Sequence, residues 1–222
     1  MSLPPNLANY AHGLHTSIHK KVSGRSATGS VDMRRVARAL YSIHDQVPNN
    51  PSSAFLDIGT LFGASAIYFK WLLDEMGLDK ITVITVDPMN GYYGDRGAEP
   101  CPSTVFRNLE LFDCLNGVRV LKGSSSDPEI IERVEIYNLF GVFIDGDHSY
   151  KGVQLDWINY GENRTSPYVV AFHDYEERSW VVERTQGRIA IDVKQFVDEN
   201  IVGLEDWIHM PIDNTITYVI YK

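Results

Sequence analysis

Short apolar runs alternate along the chain with segments whose apolar residues recur at helical spacing. The apolar runs predict strands at residues 54–59, 81–87, 118–123, 141–145 and 168–174. Helical spacing predicts helices at residues 32–47, 64–76, 128–137 and 150–160. Strands that are apolar throughout are typical of parallel sheets covered by helices on both faces. The alternation therefore predicts an α/β fold with right-handed crossovers and a doubly wound, Rossmann-like sheet.

The two ends of the chain depart from this alternation. A helix predicted at 189–201 is followed by two strand-like runs, 204–211 and 215–222, and so short a link between runs suits an antiparallel hairpin. The sheet is therefore predicted to be mostly parallel with a C-terminal antiparallel hairpin. Residues 1–30, rich in Gly, Ser, His and Asn, predict a flexible or lid-like arm before a single domain at 31–222.

The composition and charge of the chain indicate which binding partners and which cellular compartment to expect. With 29 acidic against 20 basic residues and a formal charge of −9, the chain lacks the clustered basic residues that bind a nucleic-acid backbone. No apolar run approaches the roughly 20 residues of a membrane span, and the first residues do not resemble a secretory signal. Two cysteines, Cys101 and Cys114, are too few for a disulfide framework or a zinc cluster. We expect a cytoplasmic protein without nucleic-acid or membrane partners, and a homo-oligomer is left open.

Glycine and polar residues gather where three predicted strands end, which is where ligands bind in open α/β sheets. The first strand runs into D-I-G-T-L-F-G-A-S, whose Gly59 and Gly63 allow a ligand to approach the backbone closely. The second ends at Asp87, an acid able to accept both ribose hydroxyls of an adenosine, and the third is followed by G-S-S-S-D, which contains Ser125. Each feature alone also fits a tight turn or a helix cap. Together they favour a ligand that contains a nucleoside.

Acidic residues and histidines, which can transfer protons or bind metals, follow the fourth and fifth predicted strands. F-I-D-G-D-H-S-Y contains Asp145 and His148, and A-F-H-D-Y contains His173 and Asp174, while Asp147 is expected to cap the next helix. Two carboxylates on neighbouring strand ends repel each other unless a cation or a proton lies between them. Oxygen ligands favour Mg²⁺ or Mn²⁺, and His148 is placed to accept a proton. Alternatively, His173 is a buried histidine bonded to the backbone and His148 only orients a substrate.

The pattern D-x-G-x-x-x-G-x-S at 57–65, combined with G-x-S-x-D at 123–127, resembles the class I S-adenosylmethionine-dependent methyltransferases. The sequence looks most similar to the small metal-dependent O-methyltransferases, including catechol-type enzymes and enzymes that act on macrolide sugars. The resemblance implies a seven-stranded methyltransferase fold with S-adenosylmethionine as cofactor. The cofactor-binding residues that it implies are Asp57, Gly59 and Ser65 at the methionine end, Asp87 at the ribose, Ser125 near the adenine, and also Gly63 and Asp145.

The resemblance also implies roles for the second group of residues. Asp145, His173 and Asp174 become the metal ligands, and His148 becomes the catalytic base, acting with Asp145. Catechol-type relatives carry Lys at the position of His148 and Asp-Asn at the positions of His173 and Asp174. This departure leaves open which metal is bound and whether one is required.

The prediction is a metal-assisted O-methyltransferase whose partner is a small hydroxylated acceptor, with a sugar or another polyhydroxylated natural product preferred to a catechol. One alternative is an NAD(P)-dependent oxidoreductase, which would use the same sheet and an acid after the second strand. Another is a non-catalytic module that binds S-adenosylmethionine without turnover. Two weaker features stand apart from these motifs. His12, His15 and His19 would lie on one face of a helix, which is either a metal site or an exposed polar face. Residues 90–97 and 175–180 form either a lid over the substrate or surface loops.

Overall fold

The computed structural model describes residues 3–24, 29–90, 100–162, 164–175, 180–184, 187–211 and 216–221. The helices are α1 Pro5–Lys21, α2 Ser30–Tyr41, α3 Ala64–Glu75, α4 Pro102–Leu111, α5 Pro128–Glu135, α6 Tyr150–Asp156 and α7 Val193–Asn200. The strands are β1 Ser53–Ile58, β2 Thr82–Asp87, β3 Val118–Lys122, β4 Asn138–Ile144, β5 Val169–His173, β6 Trp180–Arg184, β7 Gly187–Ile191, β8 Trp207–Pro211 and β9 Ile216–Tyr221. No helix within these ranges combines the length and the apolar character needed to cross a membrane.

A 7-stranded sheet runs in the order β3-β2-β1-β4-β5-β9-β8. Strands β1 to β5 pair in parallel, whereas β9 pairs antiparallel with both β5 and β8. The order reverses at β1, which lies between β2 and β4, and such a switch point opens a crevice at the carboxyl ends of the strands. The predicted fold class, a mostly parallel sheet ending in an antiparallel hairpin, is confirmed.

Helices cover both faces of the sheet. On one face, α1, α2, α3 and α4 pack over a core that includes Phe55 and Phe143. On the other face, α5, α6 and α7 pack over a core that includes Leu56 and Val142. Successive residues of a strand point to opposite faces, so a strand between two helical layers is apolar at every position. This is why the apolar runs in the sequence located the five parallel strands.

The N-terminal segment contributes to the core. Residues 5–21 of the predicted arm form α1, which begins at a proline in the first helical turn and buries Leu7, Ala11, Leu14 and Ile18 against α2 and α3. The sequence did not predict this helix, because residues 1–30 are mostly polar and the apolar residues of the helix form only one stripe. A lid function for the segment stays a prediction.

Several other elements differ from those predicted. Helix α4 was not predicted, and β6 and β7 form an additional 2-stranded antiparallel sheet. The helix predicted from residue 189 is wrong in its first residues, because R-I-A-I lies in β7 and the helix begins only at Val193. Helix α6 ends at Asp156 and continues as a wider π-helical turn, Trp157–Gly161, a feature that recurs at functional sites.

The burial of α1 predicts that it stabilises the domain. Leu14 is 7% exposed on α1, whereas Leu111 is 57% exposed on α4. Leu14→Ala should lower the free energy of unfolding by about 2–4 kcal/mol, because it removes buried methyl groups and leaves a cavity. Leu111→Ala is the matched control and should change it by less than about 0.5 kcal/mol. Urea denaturation measures both, and equal effects of the two substitutions would show that α1 packs too loosely to matter for stability.

Candidate active site

The turn between β1 and α3 lies directly against the end of β4. Gly59 has φ of 101°, and a Cβ at this position would lie 2.1 Å from the carbonyl oxygen of Asp145. Gly63, with φ of 86°, occupies the N-cap position of α3. Both positions therefore need glycine, the first because of both its backbone conformation and its close contact. The turn predicted to bind the cofactor therefore lies directly against Asp145, one of the residues predicted to take part in the reaction.

Asp57 lies fully buried beneath this turn. One carboxylate oxygen, Oδ2, accepts hydrogen bonds from Ser65 Oγ and Thr85 Oγ1, each at 2.8 Å. The other oxygen, Oδ1, is buried and finds no hydrogen-bond partner among the described residues. Burial raises the pKa of Asp57 to about 7, although the two hydroxyl bonds act to lower it. The carboxylate is therefore held in place, and one of its buried oxygens still lacks a hydrogen-bond donor within the described residues.

Asp87, at the end of β2, connects two loops of the crevice. Its Oδ2 accepts the backbone N–H of Leu61 at 2.9 Å, and its Oδ1 accepts that of Met89 at 2.6 Å. Leu61 and Met89 both have positive φ, 46° and 48°, so the carboxylate stabilises uncommon backbone conformations on both sides. Burial raises the pKa of Asp87, and the backbone bonds oppose this shift. The residue predicted to bind ribose thus also shapes the loops around it.

Ser125, after β3, is held by residues of α6 and the π-helical turn. Its hydroxyl donates to Asp156 Oδ1 at 2.6 Å, and its carbonyl accepts from the Tyr160 hydroxyl at 2.6 Å. Asp156 is 2% exposed, and burial raises its pKa to about 7 against the effect of the Ser125 bond. Sequence reasoning missed Asp156. The available signal was an acid in line with Val153 and Tyr160 on the apolar face of the predicted helix.

The ends of β4 and β5 bring four side chains together as predicted. His173 Nδ1 lies 2.9 Å from Asp145 Oδ1 and 3.2 Å from Asp174 Oδ1. His148 Nε2 lies 3.4 Å from Asp174 Oδ2 and 3.7 Å from Asp145 Oδ1. Asp174 has φ of 54°, a conformation that is strained for a residue with a side chain. This backbone directs its carboxylate between the two imidazole rings.

The local backbone around His148 is held from two directions. The carbonyl of His148 accepts the backbone N–H of Asp192, between β7 and α7, at 2.9 Å. Asp147 Oδ1 accepts the backbone N–H of Ser149 at 3.0 Å, and the Ser149 hydroxyl accepts that of Gly152 as the N-cap of α6. The helix cap predicted at Asp147 is therefore wrong by two residues, because Ser149 makes the capping bond.

The electrostatics of the cluster fit a cation. Buried His173 Nδ1 makes no hydrogen bond of good geometry within the described residues, despite its two near carboxylate oxygens. Burial lowers the pKa of His173, but Asp145, Asp174 and Asp32 together raise it well above its ordinary value. Burial raises the pKa of Asp174, and the contacts with His173 outweigh burial and lower it. The negative charge here therefore needs either a protonated histidine or a metal ion.

The donor atoms also have the separations of metal ligands. In the described part of the chain, atoms of Asp145, His148 and His173 lie within 4.8 Å of one another, a group that includes His148 in place of the predicted ligand Asp174. Neighbouring ligands of an octahedral ion are about 3 Å apart when each lies about 2.1 Å from the ion. The separations of His173 Nδ1 from the two carboxylates, 2.9 and 3.2 Å, match this value. The residues present therefore fit a divalent cation.

The histidine face of α1 lies elsewhere. His12 is exposed, while His15 and His19 are half-buried and stack with ring centroids 3.9 Å apart. Burial, and then the charge of His15, lower the pKa of His19 to about 4. These two rings line a pocket together with Ile18, Met33, Ala64, Ser65 and Tyr68. The pocket reaches Ser65 at the predicted methionine end of the cofactor site. Of the predicted lid, residues 91–97 and 176–179 lie outside the described residues.

The sequence matches no protein-family model and no curated protein. Solved structures share its fold. The O-methyltransferase NovP is 18% identical with a TM-score of 0.63, and 98% of each chain is covered. CalS11, a TDP-rhamnose 3'-O-methyltransferase of calicheamicin biosynthesis, is 13% identical with a TM-score of 0.58, covering 99% of this chain and 96% of that one. TomG from Streptomyces achromogenes, an O-methyltransferase solved with S-adenosylmethionine, is 14% identical with a TM-score of 0.53, covering 100% and 92%. At these identities the similarity establishes the fold, which is that of O-methyltransferases.

The buried state of Asp57 predicts a specific pH dependence of stability. Its pKa of about 7 in the folded protein exceeds the value of about 3.9 expected in an unfolded chain, so unfolding releases a proton between these pH values. Asp57 therefore reduces stability increasingly as the pH rises from 4 to 7. Asp57→Asn removes this effect while keeping the shape. The free energy of unfolding of the variant, relative to wild type, should rise by up to about 1.4 kcal/mol per pH unit in this window.

Urea denaturation of the cofactor-free protein at several pH values measures this difference. Asp74→Asn, at an exposed position of α3, is the control and should give a profile parallel to wild type. A parallel profile for Asp57→Asn as well would mean that Asp57 is already ionised at low pH in the folded protein.

Proposed function

We propose that the protein is an S-adenosylmethionine-dependent O-methyltransferase acting on a hydroxyl of a small molecule. The observation that carries the proposal is the contact of Gly59 with the backbone of Asp145, because it joins a cofactor-type turn to an acid–histidine cluster. On an O-methyltransferase fold, this contact brings a methyl donor and a proton acceptor to the same crevice. Bringing two reactants together in a fixed orientation is the main requirement of methyl transfer.

The residues along β1, β2 and β3 suit each part of the cofactor. Asp57 Oδ1, buried and without a hydrogen-bond partner among the described residues, would accept from the methionine ammonium. The carboxylate of Asp87 would accept from the ribose hydroxyls, and Ser125, held by Asp156, would lie near the adenine. When bound, S-adenosylmethionine supplies an electrophilic methyl group on a sulfonium. The cofactor carries positive charge at this end, which matches the carboxylates that line the crevice.

The same charge pattern favours this cofactor over a nicotinamide dinucleotide. The diphosphate of a dinucleotide is anionic, and such groups are usually bound by a Gly-rich turn at a helix N-terminus. Here carboxylates flank the turn, with Asp57 buried just before it in β1 and Asp145 beside it. Repulsion between these charges and a diphosphate weighs against the oxidoreductase alternative.

In the proposed reaction, His148 accepts the proton of the acceptor hydroxyl. Its Nε2 faces Asp145 and Asp174, and these carboxylates stabilise the imidazolium that forms. Asp145, His173 and Asp174 would hold a divalent cation, which supplies Lewis acidity to the acceptor hydroxyl. An imidazole nitrogen among the ligands favours Mn²⁺ over Mg²⁺, because Mg²⁺ prefers oxygen. His148 lies four residues after the end of β4, and its side chain is 11% exposed, so few water molecules compete for the transferred proton.

For the acceptor, we propose a sugar or another polyhydroxylated natural product. Support comes from the similarity in fold to CalS11, a TDP-rhamnose 3'-O-methyltransferase. A cytoplasmic location and the absence of nucleic-acid and membrane partners stay predictions from composition, as does the open question of a homo-oligomer.

Binding of the cofactor should depend on Asp87. Asp87→Ala removes charge-assisted hydrogen bonds to the ribose, and the Kd of S-adenosylmethionine should rise by about ten- to a hundredfold. Asp74→Ala, on the exposed face of α3, is the control and should leave the Kd unchanged. Calorimetry measures both, with NADH as a second ligand. An unchanged Kd in a folded Asp87→Ala variant excludes Asp87 from the site, and tighter binding of NADH than of S-adenosylmethionine by wild type supports an oxidoreductase instead.

Substitutions of Asp145 and of His148 should affect metal affinity and turnover differently. Asp145→Asn removes a ligand charge, so metal affinity and formation of S-adenosylhomocysteine should fall together, with partial recovery at high Mn²⁺. His148→Ala should keep its metal affinity and lose roughly 10²–10⁴-fold in turnover, part of which returns as the pH rises. The assay measures S-adenosylhomocysteine against pH and Mn²⁺ concentration for a panel of hydroxylated acceptors.

Three outcomes of this assay would contradict the assignment. Wild-type turnover that persists in a chelator removes the metal from the mechanism. Equal loss of metal by His148→Ala and Asp145→Asn makes His148 a ligand, so that the base lies elsewhere. Binding of S-adenosylmethionine without product for any acceptor would favour the non-catalytic module.

A further inference from the structure

The N-terminus of α2 lies against the end of β5, behind the candidate metal site. Asp32, in the first turn of α2, points its carboxylate at His173, with 3.9 Å between Asp32 Oδ2 and His173 Nε2. Both side chains are largely buried, 13% exposed for Asp32 and 6% for His173. Water therefore has little access to this contact. Asp32 belongs to no strand end, so sequence reasoning did not assign it to the site.

The two nitrogens of His173 face different groups. Nδ1 lies against Asp145 and Asp174, on the side of the proposed cation. Nε2 faces Asp32. A neutral imidazole binds a metal through its unprotonated nitrogen, so the proton must then sit on the other one. Histidines that bind metals usually donate this second N–H to a carboxylate or a carbonyl, which sets both the tautomer and the ring orientation.

We infer that Asp32 is a positioning residue for His173: the charge of its carboxylate, 3.9 Å from Nε2, favours the proton on that nitrogen and so keeps Nδ1 free for the cation. Two contacts fix the carboxylate itself. Oδ2 accepts the backbone N–H of Gly29 at 3.1 Å, and Oδ1 pairs with Arg35 at 3.3 Å. The inference rests on the cation site of the proposed function. It adds that the site is complete only when α2 is docked on β5.

A helix-capping role for Asp32 must be separated from this positioning role. The carboxylate of Asp32 forms a capping interaction with the backbone of Gly29, and asparagine retains most of this ability. Asp32→Asn thus keeps the cap and removes the charge that faces His173. Asp127→Asn is the matched control, because Asp127 also begins a helix and accepts a backbone N–H, from Ser124 at 2.8 Å, away from the cluster.

The test is calorimetric titration of Mn²⁺ into the cofactor-free wild type and both variants. Asp32→Asn should weaken Mn²⁺ binding by about 10- to 100-fold, the usual effect of losing such a partner, while Asp127→Asn stays within about threefold of wild type. A second readout is the ¹⁵N–¹H spectrum of the His173 ring with Zn²⁺ bound, which is diamagnetic. Wild type should show a protected Nε2 proton, and Asp32→Asn should shift it or lose it to exchange.

Each other outcome overturns the inference and shows where it fails. Unchanged Mn²⁺ affinity and an unchanged ring spectrum in Asp32→Asn reduce Asp32 to a helix cap. Loss of Mn²⁺ binding as complete as in Asp145→Asn makes Asp32 a ligand and not a positioning residue. Failure of wild type to bind Mn²⁺ removes the cation site itself, which leaves the cofactor half of the proposed function to be judged by the binding of S-adenosylmethionine.

Discussion

The contact between the backbones of Gly59 and Asp145 is the constraint on which the site depends. β1 and β4 are neighbours in the sheet, and their register brings the turn after β1 onto the residue that follows β4. Any side chain at position 59 would overlap the carbonyl of Asp145 and push the two ends apart. With glycine, the turn that would hold the methyl donor lies directly beside the carboxylates and histidines that would activate the acceptor. The distance between the two reactants is thus determined by the sheet.

The second organising feature is an excess of buried negative charge. Asp57, Asp87, Asp145 and Asp174 end neighbouring strands, and Asp32 joins them from α2. Burial raises the pKa of Asp57 and of Asp87, which is the free-energy cost of ionising carboxylates away from water. Positively charged ligands relieve this cost. The sulfonium cofactor and the divalent cation that we propose would both do so.

The sequence predicted the sheet well because its strands are apolar on both faces and end in residues with evident chemistry. It predicted which residues meet at the carboxyl edge, including Asp145, His148, His173 and Asp174. It did not predict α1, whose apolar stripe is narrow, or β6 and β7, whose pairing is local. Asp32 and Asp156 were missed for a different reason: they lie in helices far from any strand end, and only tertiary packing brings them to the site.

The central claim is that a methyl donor and a metal-bound acceptor meet across the Gly59–Asp145 contact. The most direct measurement is a crystal structure of the protein with S-adenosylmethionine and Mn²⁺, using anomalous scattering to locate the metal. We expect a Mn²⁺ peak about 2.0–2.3 Å from Asp145 and from His173 Nδ1. We also expect the methionine ammonium at Asp57 Oδ1 and the sulfonium methyl directed toward the ion. A metal peak elsewhere, or a cofactor whose methyl group points away from His148 and Asp174, would contradict it.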